Sequence, residues 1–174
     1  MKFSFYSPAP RPTGEAHRQA IVDRSGVFEH ADDPVLQALV DEAAALCGTP
    51  LAAVSIVDND RQWFVARHGL DARETARAIS FCAHAQLGEE VFTVPDAAQD
   101  KRFSGNPLVT SGMLRFYAGA PLVSEDGTGI GALCVIDGAP REPLSAEKRA
   151  RLRELSAKVM ARIAEFQPPV SRCA

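Results

Sequence analysis

The strongest constraint in this chain is a pair of hairpins whose strands are apolar on both faces. Residues 51–58 read Leu-Ala-Ala-Val-Ser-Ile-Val-Asp. Side chains alternate along a strand, so Leu51, Ala53 and Val57 fall on one side and Ala52, Val54 and Ile56 on the other. A strand with no polar face belongs in the middle of a sheet that is covered above and below. After the turn residues Asp58, Asn59 and Asp60, residues 62–68 form a second β-branched and aromatic run, which completes an antiparallel hairpin. A second hairpin follows the same logic, with residues 115–124 and 129–137 flanking the turn at Asp126-Gly127.

Two amphipathic helices supply cover for such a sheet. Asp33 is an N-cap, Pro34 occupies the first helical position, apolar residues recur at four-residue spacing (Val35/Leu39, Leu36/Val40, Ala43/Cys47), and Gly48 is the stop. Near the end of the chain Ser145 caps a helix on which Leu152, Leu155, Val159, Ile163 and Phe166 form one stripe. Its spacing is near-heptad, so the stripe suits either the sheet or a dimer seam. Between the hairpins, residues 69–114 hold one short strand candidate at 91–94 and otherwise loops and short helical pieces. A connection this long inside one domain is usually functional. Residues 1–32 form an arm with one helical segment at 15–22 and partial disorder expected at its start, and residues 167–174 form a tail. Antiparallel hairpins with segregated helices make the fold α+β, with one domain over residues 33–166.

Composition narrows the function classes. At 174 residues the chain has the size of one domain, and it needs neither disulfide nor metal to build a core. A net charge of −3 excludes a whole-protein basic footprint for nucleic acid. The basic residues between Arg141 and Arg162 lack stacking aromatics and read as a solvated helix face. The longest apolar runs, 117–123 and 130–136, fall far short of the ~18 residues of a membrane span, and no apolar segment follows the start as in a secretory signal. Cys47, Cys82, Cys134 and Cys173 show no CxxC spacing and read as reduced thiols, which places the chain in the cytoplasm.

Several segments taken in order resemble the GAF domain family: residues 50–58, Arg61-Gln-Trp-Phe64, Ser80-Phe-Cys-Ala-His84, Val94-Pro-Asp96, Asp100-Lys-Arg-Phe103, residues 115–121 and residues 131–137. The resemblance covers about residues 34–166. It implies a six-stranded antiparallel sheet with the first and last helices on one face and the 69–114 connection folded over the other, where the family keeps its ligand chamber. It also implies a small-molecule sensor that commonly dimerises through its terminal helices and signals to a partner protein. By its length the chain reads as a free-standing GAF protein without its own output domain, or as a piece of something longer.

The chemistry candidates follow from the connection and the strand after it. Cys82 and His84 are two residues apart, which aligns them only on an extended backbone. With Ser80 as an N-cap the segment reads as a helix and the two side chains diverge, which disfavours a nucleophile–base dyad. Cys82, His84 and Cys134 provide too few ligands for a metal site. Ala83 separates Cys82 from His84, unlike the Cys-His pair of the bilin-binding branch, and the cyclic-nucleotide signature of the family is missing. Arg115 and Tyr117 share one face of their strand with Gly119, an arrangement suited to an anionic or carbonyl-bearing ligand. The same arginine fits a structural ion pair with Asp96 or Asp100, and Asp96 also suits an Asx-type turn.

The candidate ligand-contacting residues are thus Phe81, Cys82, His84, Asp96, Arg115 and Tyr117. No cofactor is required, no metal is assigned, and Cys82 is the sole candidate nucleophile. The leading expectation is a small-molecule-sensing module without catalysis, acting through a partner protein or as a homodimer, with no nucleic acid or membrane partner. Two alternatives stand beside it: a free methionine-(R)-sulfoxide reductase using Cys82, and a purely structural dimerisation domain.

Overall fold

The computed structural model describes residues 5–167. Helix α1 (Glu15–Arg24) is followed by a 3-10 turn at Val27–His30 and helix α2 (Pro34–Cys47). The Asp33 carboxylate accepts from the backbone N–H groups of Val35 and Leu36 at 3.0 Å, and Gly48 ends α2 in a left-handed conformation at φ 64°, as the spacing predicts. Strands β1 (Leu51–Asp58) and β2 (Arg61–His68) form the first hairpin, and β3 (Glu74–Ala76) adds a short edge strand that the sequence pattern does not announce. The connection then carries helix α3 (Cys82–Ala85), strand β4 (Phe92–Val94) and helix α4 (Pro107–Thr110). Strands β5 (Phe116–Val123) and β6 (Gly129–Asp137) make the second hairpin, and α5 (Ala146–Ala164) closes the fold.

All six strands belong to one antiparallel sheet in the order β3-β2-β1-β6-β5-β4. The two hairpins meet through β1 and β6, so the strands that are apolar on both faces are the central ones. One face carries the larger core: Ala52, Val54 and Ile56 from β1 and Phe116, Ala118 and Ala120 from β5 pack against Leu36, Val40 and Ala43 of α2 and Leu152, Leu155, Val159 and Ile163 of α5. Each large aliphatic side chain buried there contributes roughly 1.5–3 kcal/mol. The α5 stripe is therefore spent on the sheet within one chain. The opposite face carries a smaller core under the connection, including Ala53, Tyr117, Cys134 and Phe81.

From residue 5 the arm packs against the domain, and residues 1–4 at the start of the chain, where partial disorder is expected, lie outside the described residues. Val22 and Val27 are fully buried in the main core, and the Arg18 guanidinium, also buried, donates to the Val57 carbonyl at 2.6 Å. Ahead of α1, residues 5–7 strap the connection: Ser7 N–H donates to the Arg102 carbonyl at 3.0 Å and Gly105 N–H to the Phe5 carbonyl at 2.8 Å. The expected tail lies, apart from Gln167, outside the described residues, as does Cys173.

Candidate functional site

The face beneath the connection is built on β5 and β6. Tyr117 projects from β5 toward the cover, and its ring lies along the strand above Gly119, where a Cβ would come within 2.3 Å of the Tyr117 hydroxyl oxygen. Gly119 pairs directly with Cys134 on β6, and Cys134 in turn pairs with Ala53 on β1. The Tyr117 hydroxyl therefore reaches over the middle of the sheet, where it donates to Cys82 Sγ at 3.1 Å. Cys82 opens α3, which Ser80 starts by accepting from the Ala83 N–H at 3.0 Å. The helix separates Cys82 from His84: Cys82 faces the sheet, whereas His84 Nε2 donates to the Ser7 carbonyl at 3.1 Å on the outer side.

Aromatic rings fill much of the space between sheet and cover. Phe81 stacks on Phe103 with centroids 4.3 Å apart and lies 5.3 Å from Tyr117, and Phe92 approaches Tyr117 and Phe103 edge-on. The Arg102 guanidinium caps Phe92 and Phe103 from outside at 5.2 and 5.0 Å. What remains open is a cavity of about 90 Å³, bounded by Phe64, Leu70, Leu114 and Ile136 and floored by Cys82, Tyr117 and Cys134. Its walls are mainly apolar. Beside it runs a buried polar chain in which the Ser55 and Ser80 hydroxyls both donate to Gln62 Oε1 (2.9 and 2.6 Å) while Gln62 Nε2 donates to Thr75 Oγ1 at 2.9 Å.

Of the six candidate ligand-contacting residues, Phe81, Cys82 and Tyr117 line this cavity, and His84, Asp96 and Arg115 are not among its walls. Arg115 grips Asp96 with two parallel bonds, Nε to Oδ1 at 2.6 Å and Nη2 to Oδ2 at 2.7 Å. The guanidinium holds the Asp96 carboxyl below its ordinary range. Asp96 Oδ1 also accepts from the Ala98 N–H at 3.1 Å, so ion pair and Asx turn coexist. Arg102 pairs separately with Asp100. Burial pushes the His84 imidazole down.

The electrostatics of the floor are asymmetric. Burial opposes ionisation of Cys82, but its contact with Cys134 and the hydrogen bond from Tyr117 outweigh it and bring its thiol below the ordinary value. Its bond to Cys82, with burial added, pushes the Cys134 thiol well up, and burial next to the two thiols does the same to the Tyr117 phenol. Within the cluster the shifts favour ionisation at Cys82 over Cys134 and Tyr117. A separation of 52 positions between Cys82 and Cys134 hides this pairing from the sequence. The one available signal is strand register, because Cys134 lies opposite Gly119 on the face that Tyr117 occupies. A second set missed by the sequence is the clamp on Glu15, whose carboxylate is held by Arg18 and Arg77. Partial burial raises the Glu15 pKa, yet those arginines bring it down to about 2.

Among the described residues no three His, Cys, Asp or Glu side chains gather as a metal site, and no helix is long and apolar enough to cross a membrane. The family profile of the GAF domain matches residues 33–163. The chain belongs to the GAF domain family. Its sheet order, its helices on one face and its covered chamber on the other agree with that membership. The GAF chain is 48% identical over 155 residues to a cyclic di-GMP phosphodiesterase of Pseudomonas aeruginosa, a match that takes in 88% of this chain. It spans only about a quarter of that relative's length (26%). Among solved structures it superposes on the GAF domain of a phosphoenolpyruvate-protein phosphotransferase from Coxiella burnetii with a TM-score of 0.62 at 17% identity, covering 86% of this chain and 95% of that one. A type II free methionine-R-sulfoxide reductase from Thermoplasma acidophilum gives 0.61 at 15% identity, covering 82% and 97%. At such identities the likeness is one of fold.

Proposed function

We propose that this GAF domain is a sensory input module in which a small, mainly apolar molecule occupies the chamber under the 69–114 connection and touches Phe81, Cys82 and Tyr117. The observation that carries the reading is the chamber itself, an apolar cavity with one hydroxyl and two thiols at its floor, set between a rigid sheet and a cover made of short pieces. Drug-sized ligands occupy sites of roughly 300–1,000 Å³. A cavity of about 90 Å³ therefore takes a ligand of few atoms, unless Phe81 and the cover shift to admit a larger one. In this reading the Arg115–Asp96 clasp and the His84–Ser7 bond position the cover rather than hold the ligand. Binding biases how the cover seats on β5 and β6, and α2 and α5 on the reverse face pass the change to a partner protein or a second copy of the chain. The likeness to a cyclic di-GMP phosphodiesterase supports an output in control of cyclic di-GMP turnover.

A thermal-shift screen of small metabolites, read alongside native mass spectrometry, tests the proposal. A ligand at a hundredfold excess over its Kd stabilises the fold by about 2.7 kcal/mol. Ala72 is exposed at the cavity wall, so Ala72→Trp should close the chamber and abolish the shift while leaving the melting temperature of the unliganded protein unchanged. A shift that survives Ala72→Trp undiminished, or a screen in which nothing binds, overturns it.

A further inference from the structure

The floor of the chamber holds two thiols whose redox chemistry plays no part in the sensory reading. Cys82 and Cys134 arrive from opposite directions, one at the start of a four-residue helix in the cover and the other in the middle of a central strand, and both border the same small cavity. The Tyr117 hydroxyl sits over Gly119, the strand partner of Cys134, and reaches Cys82 Sγ at 3.1 Å, which fixes the three polar atoms as one cluster. Cys47 is also buried, but it belongs to the core on the opposite side of the sheet and has no access to this cavity.

We propose that Cys82 and Cys134 form an oxidation site at which a small hydroperoxide entering the cavity converts the two thiols into an intrachain disulfide. The chemistry closes on the groups present and one molecule of peroxide. The Cys82 sulfur attacks one peroxide oxygen, the O–O bond breaks, and the departing oxygen leaves as water or alcohol with the thiol proton, so that Cys82 becomes a sulfenic acid. The Cys134 sulfur then attacks the Cys82 sulfur, the S–O bond breaks, and water departs with the Cys134 proton. Two thiols supply the two electrons that the peroxide takes up. Cys82 is placed to attack first, since it borders the cavity beside the Tyr117 hydroxyl and its neighbours favour the thiolate.

Cavity dimensions select the oxidant. About 90 Å³ of mainly apolar space admits hydrogen peroxide or a short alkyl hydroperoxide and excludes bulky thiol-disulfide reagents. The cross-link would tie α3 to β6 and take from Tyr117 the sulfur that now accepts its proton. Oxidation would therefore lock the cover onto the central strand. The inference uses the same cavity as the ligand reading but does not depend on it, because a covalent change at the two sulfurs can occur whether or not a ligand binds there.

The reduced full chain is exposed to hydrogen peroxide at near-stoichiometric ratio and analysed by intact mass and by a non-reducing peptide map. The expected result is loss of two hydrogens, a cross-linked peptide pair joining Cys82 to Cys134, and full reversal by dithiothreitol once the protein is denatured. In Cys134→Ser the same treatment should instead leave a sulfenic acid at Cys82 that dimedone traps when the protein is unfolded in its presence, while Cys47→Ser should cross-link as the wild type does. The wild-type map decides the matter even if a variant fails to fold. Cys82 and Cys134 recovered as free thiols while another cysteine is oxidised, over-oxidation of Cys82 without the cross-link, or a cross-link formed with methionine sulfoxide but not with peroxide would each overturn the proposal. Ligand binding persisting in such a case would leave the sensory reading intact.

Discussion

Gly119 shows how one missing side chain sets the site. Its bare Cα leaves room for the Tyr117 ring to lie along β5, which brings the phenol to Cys82. A methyl group at this position would have to displace the ring inside a packed core, so Gly119→Ala should lose roughly 1–3 kcal/mol of stability, read as a lower urea midpoint. Tyr117→Phe keeps the ring and should cost less. Near the β1–β2 turn, Glu15 is a test of charge. Its folded-state pKa of about 2 lies below its ordinary 4.5, so its contribution is full above pH 4.5 and is lost as the pH falls toward 2. Glu15→Gln should therefore lower the melting temperature at neutral pH, and the gap to wild type should close as a pH series descends through that window. A gap that stays constant would show that the arginine clamp has no such role.

At the level of elements, α5 separates two uses that its sequence leaves open. The near-heptad stripe Leu152, Leu155, Val159, Ile163 and Phe166 suits a dimer seam or a sheet; in the structure the first four are buried against the sheet of their own chain, and Phe166, past the end of α5 and only half-buried, stacks on His30. The helix is further fixed to α2 by Arg162, which holds the Asp33 carboxylate that also caps α2. A charge at Val159 would have no partner in that core. Val159→Glu should thus abolish folding, with loss of the cooperative thermal transition by circular dichroism. A variant that merely changed oligomeric state in light scattering while melting like the wild type would show that the stripe serves a second copy instead. The connection behaves differently from α5, since β4 and α3 are three and four residues long and take their positions from neighbours rather than from their own periodicity.

For the molecule as a whole, the unit that folds extends beyond the region the family profile matches. That match starts at residue 33, yet Val22 and Val27 are fully buried in the main core, Arg18 is bonded to β1, and the Phe5 and Ser7 backbones bind the cover. A chain that begins at residue 33 should therefore melt well below the full chain and exchange the amides of α3 and of residues 100–105 faster, as measured by hydrogen exchange. Equal protection in the two chains would mean that the strap has no hold on the cover.

Both hairpins, the two long helices with their caps and the central position of β1 were legible in the sequence, because side-chain direction follows backbone period and a run apolar on both faces has one stable location. The same alternation separated Tyr117 from Phe116 and Ala118 correctly between the two faces. The site was less legible. Phe81, Cys82 and Tyr117 reach the cavity, whereas Arg115 and Asp96 hold each other and His84 ties down the strap. The meeting of Cys82 with Cys134, the clamp of Arg18 and Arg77 on Glu15 and the small volume of the chamber depend on how irregular chain crosses a sheet. Local pattern fixed which face of each regular element is buried. Which distant side chains meet beneath a cover without a period of its own was decided only when sheet, strap and connection packed together.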